Sequence, residues 1–242
     1  MTFGFDAVIL AGGRASRFGG RDKTALLHDG LSLLEVAVTA VAGARAIAVV
    51  GHGIEADDPR LRRTVEEPRW AGPVAAIVAG LRALDDAPEA RTVVIAADLP
   101  FAVPAVARLL AVAGDADGAA EAATDGEGGE GVGGRRAVVA VDGDGREQPL
   151  LAVYPTAALR RAVETADRAG RANDRGPSLR AALAGIDVRS VALPEPLCAD
   201  VDTPADAIRH GVHGPPLHRR TAAEAAAATD PAESARPERT RA

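Results

Sequence analysis

Cysteine, lysine, aromatic rings and long apolar runs are all scarce in this 242-residue chain. Its one cysteine, Cys198, excludes an internal disulfide and fits a reducing, cytosolic setting. Six aromatic residues, four Phe with Trp70 and Tyr154, are too few for a row of base-stacking platforms. Acidic side chains outnumber basic ones 34 to 28, whereas a general nucleic-acid binder shows a basic face, so no nucleic-acid partner is expected. No stretch reaches the roughly 20 apolar residues of a membrane span, because Arg, Asp, Glu or Gly interrupts every one. The first apolar stretch, Ala7 to Ala11, is short and no basic residue precedes it. Neither a secretory signal nor a membrane partner is therefore expected, and the expected location is cytoplasmic. Lysine is the scarcest charged residue. Lys23 is the sole one, and the other 27 basic residues are arginine. In a chain so rich in Ala, Gly and Arg, as GC-rich codons produce, a solitary lysine suggests a position held by chemistry.

What remains is ordinary globular material, 47% apolar and 26% charged, long enough to bury a full core without a metal or disulfide staple. Short Val/Ile-rich runs read as strands at Asp6–Ala11, Ala46–Val50, Thr64–Glu66, Thr92–Ala97, Ala137–Val141, Leu150–Tyr154 and Val188–Leu193. Segments of helical spacing lie between them at Leu33–Ala42, Pro73–Leu84, Pro104–Ala113, Pro155–Asp167, Ser178–Ala184 and Pro204–His210. Alternation of this kind, with near-continuous apolar strands, predicts an α/β fold with a mostly parallel sheet covered on both faces. Asp142-Gly143-Asp144-Gly145 reads as a hairpin turn, which makes the sheet mixed. One domain is expected over residues 1–210. Within it Gly114–Gly134, poor in anything to bury, reads as a long solvated loop, and 211–242, rich in Pro, Ala, Arg and Glu, reads as a disordered tail.

The chemistry concentrates where the first strand ends. Ala7-Val-Ile-Leu-Ala11 runs into Gly12-Gly13-Arg14-Ala15-Ser16-Arg17-Phe18-Gly19-Gly20-Arg21-Asp22-Lys23. Glycines let backbone N–H groups converge on an anion with no Cβ in the way. Arg17 can fork onto phosphate oxygens, and Lys23 supplies a point charge. The common phosphate loops do not fit, since Asp22 precedes Lys23-Thr24 where a P-loop needs Gly, and Gly12-Gly13-Arg14 breaks the dinucleotide fingerprint. A second station is Thr92-Val-Val-Ile-Ala-Ala-Asp98-Leu99-Pro100, where a buried strand delivers one carboxylate to the edge at which open α/β sheets bind ligands. Such a group suits Mg²⁺, which takes one or two carboxylates together with phosphate oxygens and water. Capping the next helix is the alternative role for Asp98.

Leu10-Ala-Gly-Gly13, Arg17-Phe18-Gly19 and Asp22-Lys23 together resemble the signature L-A-G-G-x-x-x-R-M/F-G-x-x-D-K of molybdenum cofactor guanylyltransferases, within the MobA-like nucleotidyltransferases. That resemblance extends over most of Asp6–His210. It implies a three-layer α/β/α Rossmann-like nucleotidyltransferase fold, with GTP and molybdopterin as substrates and molybdoenzymes or cofactor-biosynthesis proteins as partners. It further implies catalytic roles for Lys23, Arg17 and Asp98, a nucleotide cradle from Leu10, Ala11, Gly12 and Gly13, and Mg²⁺ on Asp98. Glu66-Glu67-Pro68, followed by Ala71-Gly72-Pro73-Val74-Ala75-Ala76-Ile77, resembles the family's acidic residue before G-P-L-A-G-I, and Glu67 is the better positional match for reading guanine N1 and N2. Asp200-Val-Asp202-Thr203-Pro204-Ala205-Asp206 resembles N-x-N-T-P-E-D/E with both amides replaced by carboxylates. Asp202 would complete the metal pair and Asp200 assist, with helix capping by Asp202 or Thr203 as the alternative. In Arg146-Glu147-Gln148-Pro149-Leu150 the family's R-x-H-P-L carries Gln148 for His, which leaves Arg146 to meet an acceptor phosphate. The five histidines have no metal or catalytic spacing. A cytidylyltransferase, a sugar- or polyol-phosphate nucleotidyltransferase, and a nucleotide-binding adaptor without turnover remain the alternative functions.

Overall fold

The computed structural model describes residues 4–12, 23–51, 58–84, 90–124, 135–172 and 178–214. Seven strands form the main sheet: β1 (Phe5–Leu10), β4 (Ile47–Val50), β5 (Leu61–Thr64), β6 (Arg91–Ala96), β7 (Ala137–Val141), β8 (Glu147–Pro155) and β9 (Val188–Ala192). A two-stranded hairpin, β2 (Leu27–His28) with β3 (Leu31–Ser32), stands apart from it. The helices are α1 (Leu33–Ala40), α2 (Pro73–Ala83), α3 (Ala102–Thr124), α4 (Thr156–Ala172), α5 (Leu179–Leu183) and α6 (Pro204–Arg209).

Strand order in the sheet is β5-β4-β1-β6-β8-β7-β9. Only β8 runs against its neighbours; every other pair is parallel. The expected hairpin is thus the one reversal in a mostly parallel mixed sheet. Alternation along β1 separates two cores, as the period of a strand requires. Ala7 and Ile9 pack with Val36, Ala37, Val106 and Leu109 beneath α1 and α3, while Val8 faces Val74, Ile77 and Leu81 of α2 on the other side. Three layers result, α/β/α. Gly80 sets the closeness of α2, since a Cβ there would lie 2.5 Å from Val8 Cγ1. No helix among the described residues is long and apolar enough to cross a membrane.

Several boundaries differ from the sequence reading, each for a physical reason. β5 spans Leu61–Thr64 rather than Thr64–Glu66. It is the outermost strand, where exposed Arg62 and Arg63 are tolerated and protect the open edge. α3 continues through Gly114 to Thr124, converting the first half of the expected loop into helix. Ala-rich sequence favours helix by intrinsic propensity. Residues 125–134 lie outside the described residues. At the other end packing continues past His210, because Val212 is buried and His213 bridges to Leu27. Residues 215–242, the rest of the expected tail, lie outside the described residues.

Candidate active site

Register aligns the carboxyl ends of four strands: Leu10 of β1 pairs with Val50 of β4 and with Ala96 of β6, and Val50 pairs with Thr64 of β5. Everything leaving those strands emerges along one edge. The chain after β1 is pinned there by Ala11 N donating to Val50 O (2.8 Å) and Ala97 N donating to Leu10 O (2.9 Å). Gly51 presses against this turn so closely that a Cβ would meet the Ala11 carbonyl carbon at 2.8 Å. Leu10, Ala11 and Gly12 are therefore presented as a fixed backbone rim along this edge. Gly13 and Arg17 lie outside the described residues.

Lys23 opens a short 3₁₀ turn, Lys23–Ala25, closed by Leu26 N donating to Lys23 O (3.1 Å). Leu26 anchors that turn in a small third cluster with Leu33, Val201, Ala207 and Val212. The same cluster holds the segment that carries Asp202, and Val201 N donates to Asp98 O (3.0 Å), stitching that segment to the end of β6. Three distant stretches are brought to one point by these contacts. Lys23 Nζ donates to Asp98 Oδ2 at 2.9 Å, to Asp202 Oδ1 at 2.8 Å and to the Val201 carbonyl at 3.1 Å. Partial burial alone would lower the Lys23 pKa, but the hydrogen bond to Asp202 and the charge of Asp98 outweigh it, so the ammonium sits above the ordinary lysine value. The carboxyl of Asp200, next along the chain, is pushed up by burial and by the negative charges of Asp202 and Asp98.

Helix capping, the alternative role for Asp202, is taken by others. Thr203 caps α6 by accepting from Asp206 N (3.2 Å), and Asp206 accepts from Thr203 N (2.8 Å), a reciprocal capping box. Asp202 is left to face Lys23. The T-x-x-D spacing carried this signal in the sequence.

Glu67 is not part of the Lys23 cluster. It lies exposed on the loop after β5, three strand places from β6, or about 14 Å at ordinary strand spacing. Glu66 is buried and braces that loop by accepting from Trp70 N at 3.1 Å. Trp70 has a left-handed backbone, φ +66°, and Gly72 at φ +94° then turns the chain into α2. On the far side of the edge, Asp142 holds the β7–β8 turn by accepting from Asp144 N and Arg146 N (both 2.9 Å). Its other oxygen accepts from Gln148 Nε2 at 2.8 Å, so the residue in the histidine's place braces the turn. Arg146 is exposed and lies 3.5 Å from Asp144. A cleft of about 230 Å³ between this turn and the stretch carrying Glu195, Cys198 and Asp200 adjoins the site. Burial first, then Asp142 and Glu195, push the Cys198 thiol to about 11, keeping it protonated. His28 and His210 flank Phe101 edge-on, at 5.1 and 5.8 Å, which fits structural roles.

Two carboxylates and a carbonyl gathered around a single positive atom form a hard, all-oxygen donor set, which fits Mg²⁺. Among the described residues no group of three or more His, Cys, Asp or Glu side chains is arranged to hold a metal. Asp98 and Asp202 would need phosphate oxygens and water to complete a shell, as is usual for Mg²⁺.

The family model described as MobA-like NTP transferase domain matches residues 7–187. A relative named molybdenum cofactor guanylyltransferase, from Acidiphilium cryptum (strain JF-5), is 40% identical over 80 residues, which is 31% of this chain and only 41% of that protein. Among solved structures, molybdopterin-guanine dinucleotide biosynthesis protein A from Archaeoglobus fulgidus is similar at a TM-score of 0.55 and 20% identity, covering 85% of this chain and 96% of that one. The 2-C-methyl-D-erythritol 4-phosphate cytidylyltransferase of Francisella tularensis gives 0.62 at 11% identity, covering 86% and 98%. At these identities the two structures speak for the fold alone.

Proposed function

The chain belongs to the MobA-like NTP transferase family, and on that premise we propose that it transfers GMP from GTP to the terminal phosphate of molybdopterin carrying its molybdenum, releasing pyrophosphate. The observation that carries this reading is the meeting of Lys23 with Asp98 and Asp202 at the sheet edge, within 2.9 Å of one atom. The Leu10-Ala-Gly-Gly13 signature favours the guanylyl branch, and the Acidiphilium relative bears that name.

In the reaction, an oxygen of the acceptor phosphate forms a bond to the α-phosphorus of GTP as the α–β bridging bond breaks in line. A phosphate monoester is largely dianionic at neutral pH, its second pKa being about 6, so no general base is required. Catalysis then consists of positioning and charge neutralisation. The Ala11–Gly12 backbone borders the nucleotide phosphates, and Glu67 accepts from guanine N1 and N2 farther along the edge. Lys23, protonated throughout the neutral range, offsets charge growing on the departing pyrophosphate. The resemblance gives Arg17 the same task. Mg²⁺ on Asp98 and Asp202 would supply further neutralisation of the phosphates.

Pure protein incubated with Mg²⁺, molybdopterin and each NTP in turn tests the assignment through pyrophosphate release. Release with GTP alone is expected. Turnover with CTP and a polyol phosphate would place the chain with the cytidylyl enzymes, and tight GTP binding without release would make it an adaptor.

A further inference from the structure

An ammonium has three N–H donors, and all three of Lys23 find acceptors inside the protein: the Asp98 carboxylate, the Asp202 carboxylate and the Val201 carbonyl. The side chain is only 19% exposed, and the donors are fully used. Lys23 therefore cannot serve a nucleotide phosphate and remain where it is. It also sits on the two carboxylates expected to bind the metal. A second observation points the same way. This chain uses arginine for every basic residue but one, and the exception stands here. A planar, forked guanidinium is a poor substitute for a compact cation among three converging oxygens. A lysine has the shape of a point charge and a flexible stem on which to leave.

We infer that Lys23 is the resident cation of the metal seat, which it closes to free divalent ions until a metal arrives already bound to a triphosphate. The inference rests on the reading of Asp98 and Asp202 as metal-binding carboxylates. Charge explains the ordering. With Lys23 in place the pair carries one net negative charge, and a bare divalent ion would have to displace the ammonium from both carboxylates while bringing no anionic oxygens to take its place. A metal–triphosphate complex brings its own anionic oxygens. As the carboxylates pass to the metal, the ammonium passes to the phosphates, and neither cation is left without a partner. One lysine thus has two successive places, on the carboxylates before nucleotide binding and on the phosphates after it.

The test uses Mn²⁺ without nucleotide, with free ion followed by electron paramagnetic resonance on the full-length chain. Lys23→Met is expected to bind Mn²⁺ at least tenfold more tightly than wild type, and Lys23→Met/Asp98→Asn is expected to lose that gain. Equal affinity of wild type and Lys23→Met would overturn the inference, and so would a gain that survives Asp98→Asn. A measurement on the unaltered protein guards against a variant that does not fold. With ¹⁵N-labelled lysine, the chain has one side-chain ammonium resonance. Millimolar Mg²⁺ alone is expected to leave it unmoved; a shift on adding Mg²⁺ alone would refute the closed seat. None of these readouts needs turnover. A Lys23→Met gain without pyrophosphate release from any NTP would keep the seat and remove the proposed reaction.

Discussion

Replacing Gly51 by alanine puts a methyl group where the fold has left no room for one. Its Cβ would lie 2.8 Å from the Ala11 carbonyl carbon and 2.9 Å from the oxygen, against the 3.4 Å at which ordinary contact begins. Both are backbone atoms, so no side chain can swing aside, and the strand ends must part by about 0.6 Å. The bond from Ala11 N to Val50 O, now 2.8 Å, would lengthen towards the limit of a useful hydrogen bond. Overpacking of this kind costs about 1–3 kcal/mol. For a chain of this length each kcal/mol lowers Tm by roughly 2–4 °C, so a cost of about 2 kcal/mol gives a fall of roughly 4–8 °C by calorimetry. The displaced atoms form the rim assigned to the nucleotide, and GTP binding by titration calorimetry is expected to weaken about tenfold, the equivalent of about 1.4 kcal/mol. Gly80→Ala is the matched control. Its methyl would meet Val8 Cγ1 at 2.5 Å in the core beneath α2, so Tm should fall with GTP affinity retained. Wild-type Tm and affinity in Gly51→Ala would refute the account, as would an equal loss of affinity in Gly80→Ala.

Lys23→Ala is expected to melt cooperatively yet lose at least a hundredfold in turnover, about 3 kcal/mol of transition-state stabilisation; near-normal pyrophosphate release would remove Lys23 from the chemistry. Trp70 is the sole tryptophan, 45% exposed on the loop that carries Glu67. Its emission is expected to change saturably with GTP, and a response absent at saturating GTP would place the base elsewhere. Glu35 in the first turn of α1 is held below its ordinary carboxyl value, first by the Ser32 hydroxyl and then by the Ser32 backbone N–H. A lowered carboxyl contributes stability above its unfolded pKa and loses it as pH falls through its folded one. Glu35→Gln should therefore melt below wild type at pH 7, with the gap narrowing below about pH 4; a gap independent of pH would refute the capping role. Ser32→Ala is expected to cost about 1 kcal/mol at pH 7, read from denaturant unfolding.

Much of this arrangement was legible in the sequence where local chemistry determined it. The apolar run ending at Asp98, the hairpin turn at Asp142–Gly145 and the isolated Lys23 each carried their own signal. At Asp202 the sequence allows two roles, because a carboxylate before Thr-Pro can cap a helix as readily as face a cation. The tie was broken by Thr203 and Asp206 capping each other. Long-range packing was the harder part. Nothing near Val201 or Val212 announces that they share a cluster with Leu26, and nothing near Gly51 announces that it touches Ala11. β5 lies over Leu61–Thr64 rather than Thr64–Glu66, because an outermost strand accepts Arg62 and Arg63, whose charge hides it among the apolar runs. Glu66 and Glu67 are indistinguishable by type, and only burial separates the brace from the exposed neighbour.

The ammonium and its second carboxylate lie 179 positions apart along the chain. During synthesis Lys23 therefore leaves the ribosome well before Asp202, which completes its set of contacts. Chains that stop short of Asp202 carry the ammonium with Asp98 but without its second carboxylate. The three-way contact therefore closes only once the segment carrying Val201 and Asp202 is in place, and losing that segment would leave Lys23 with Asp98 alone.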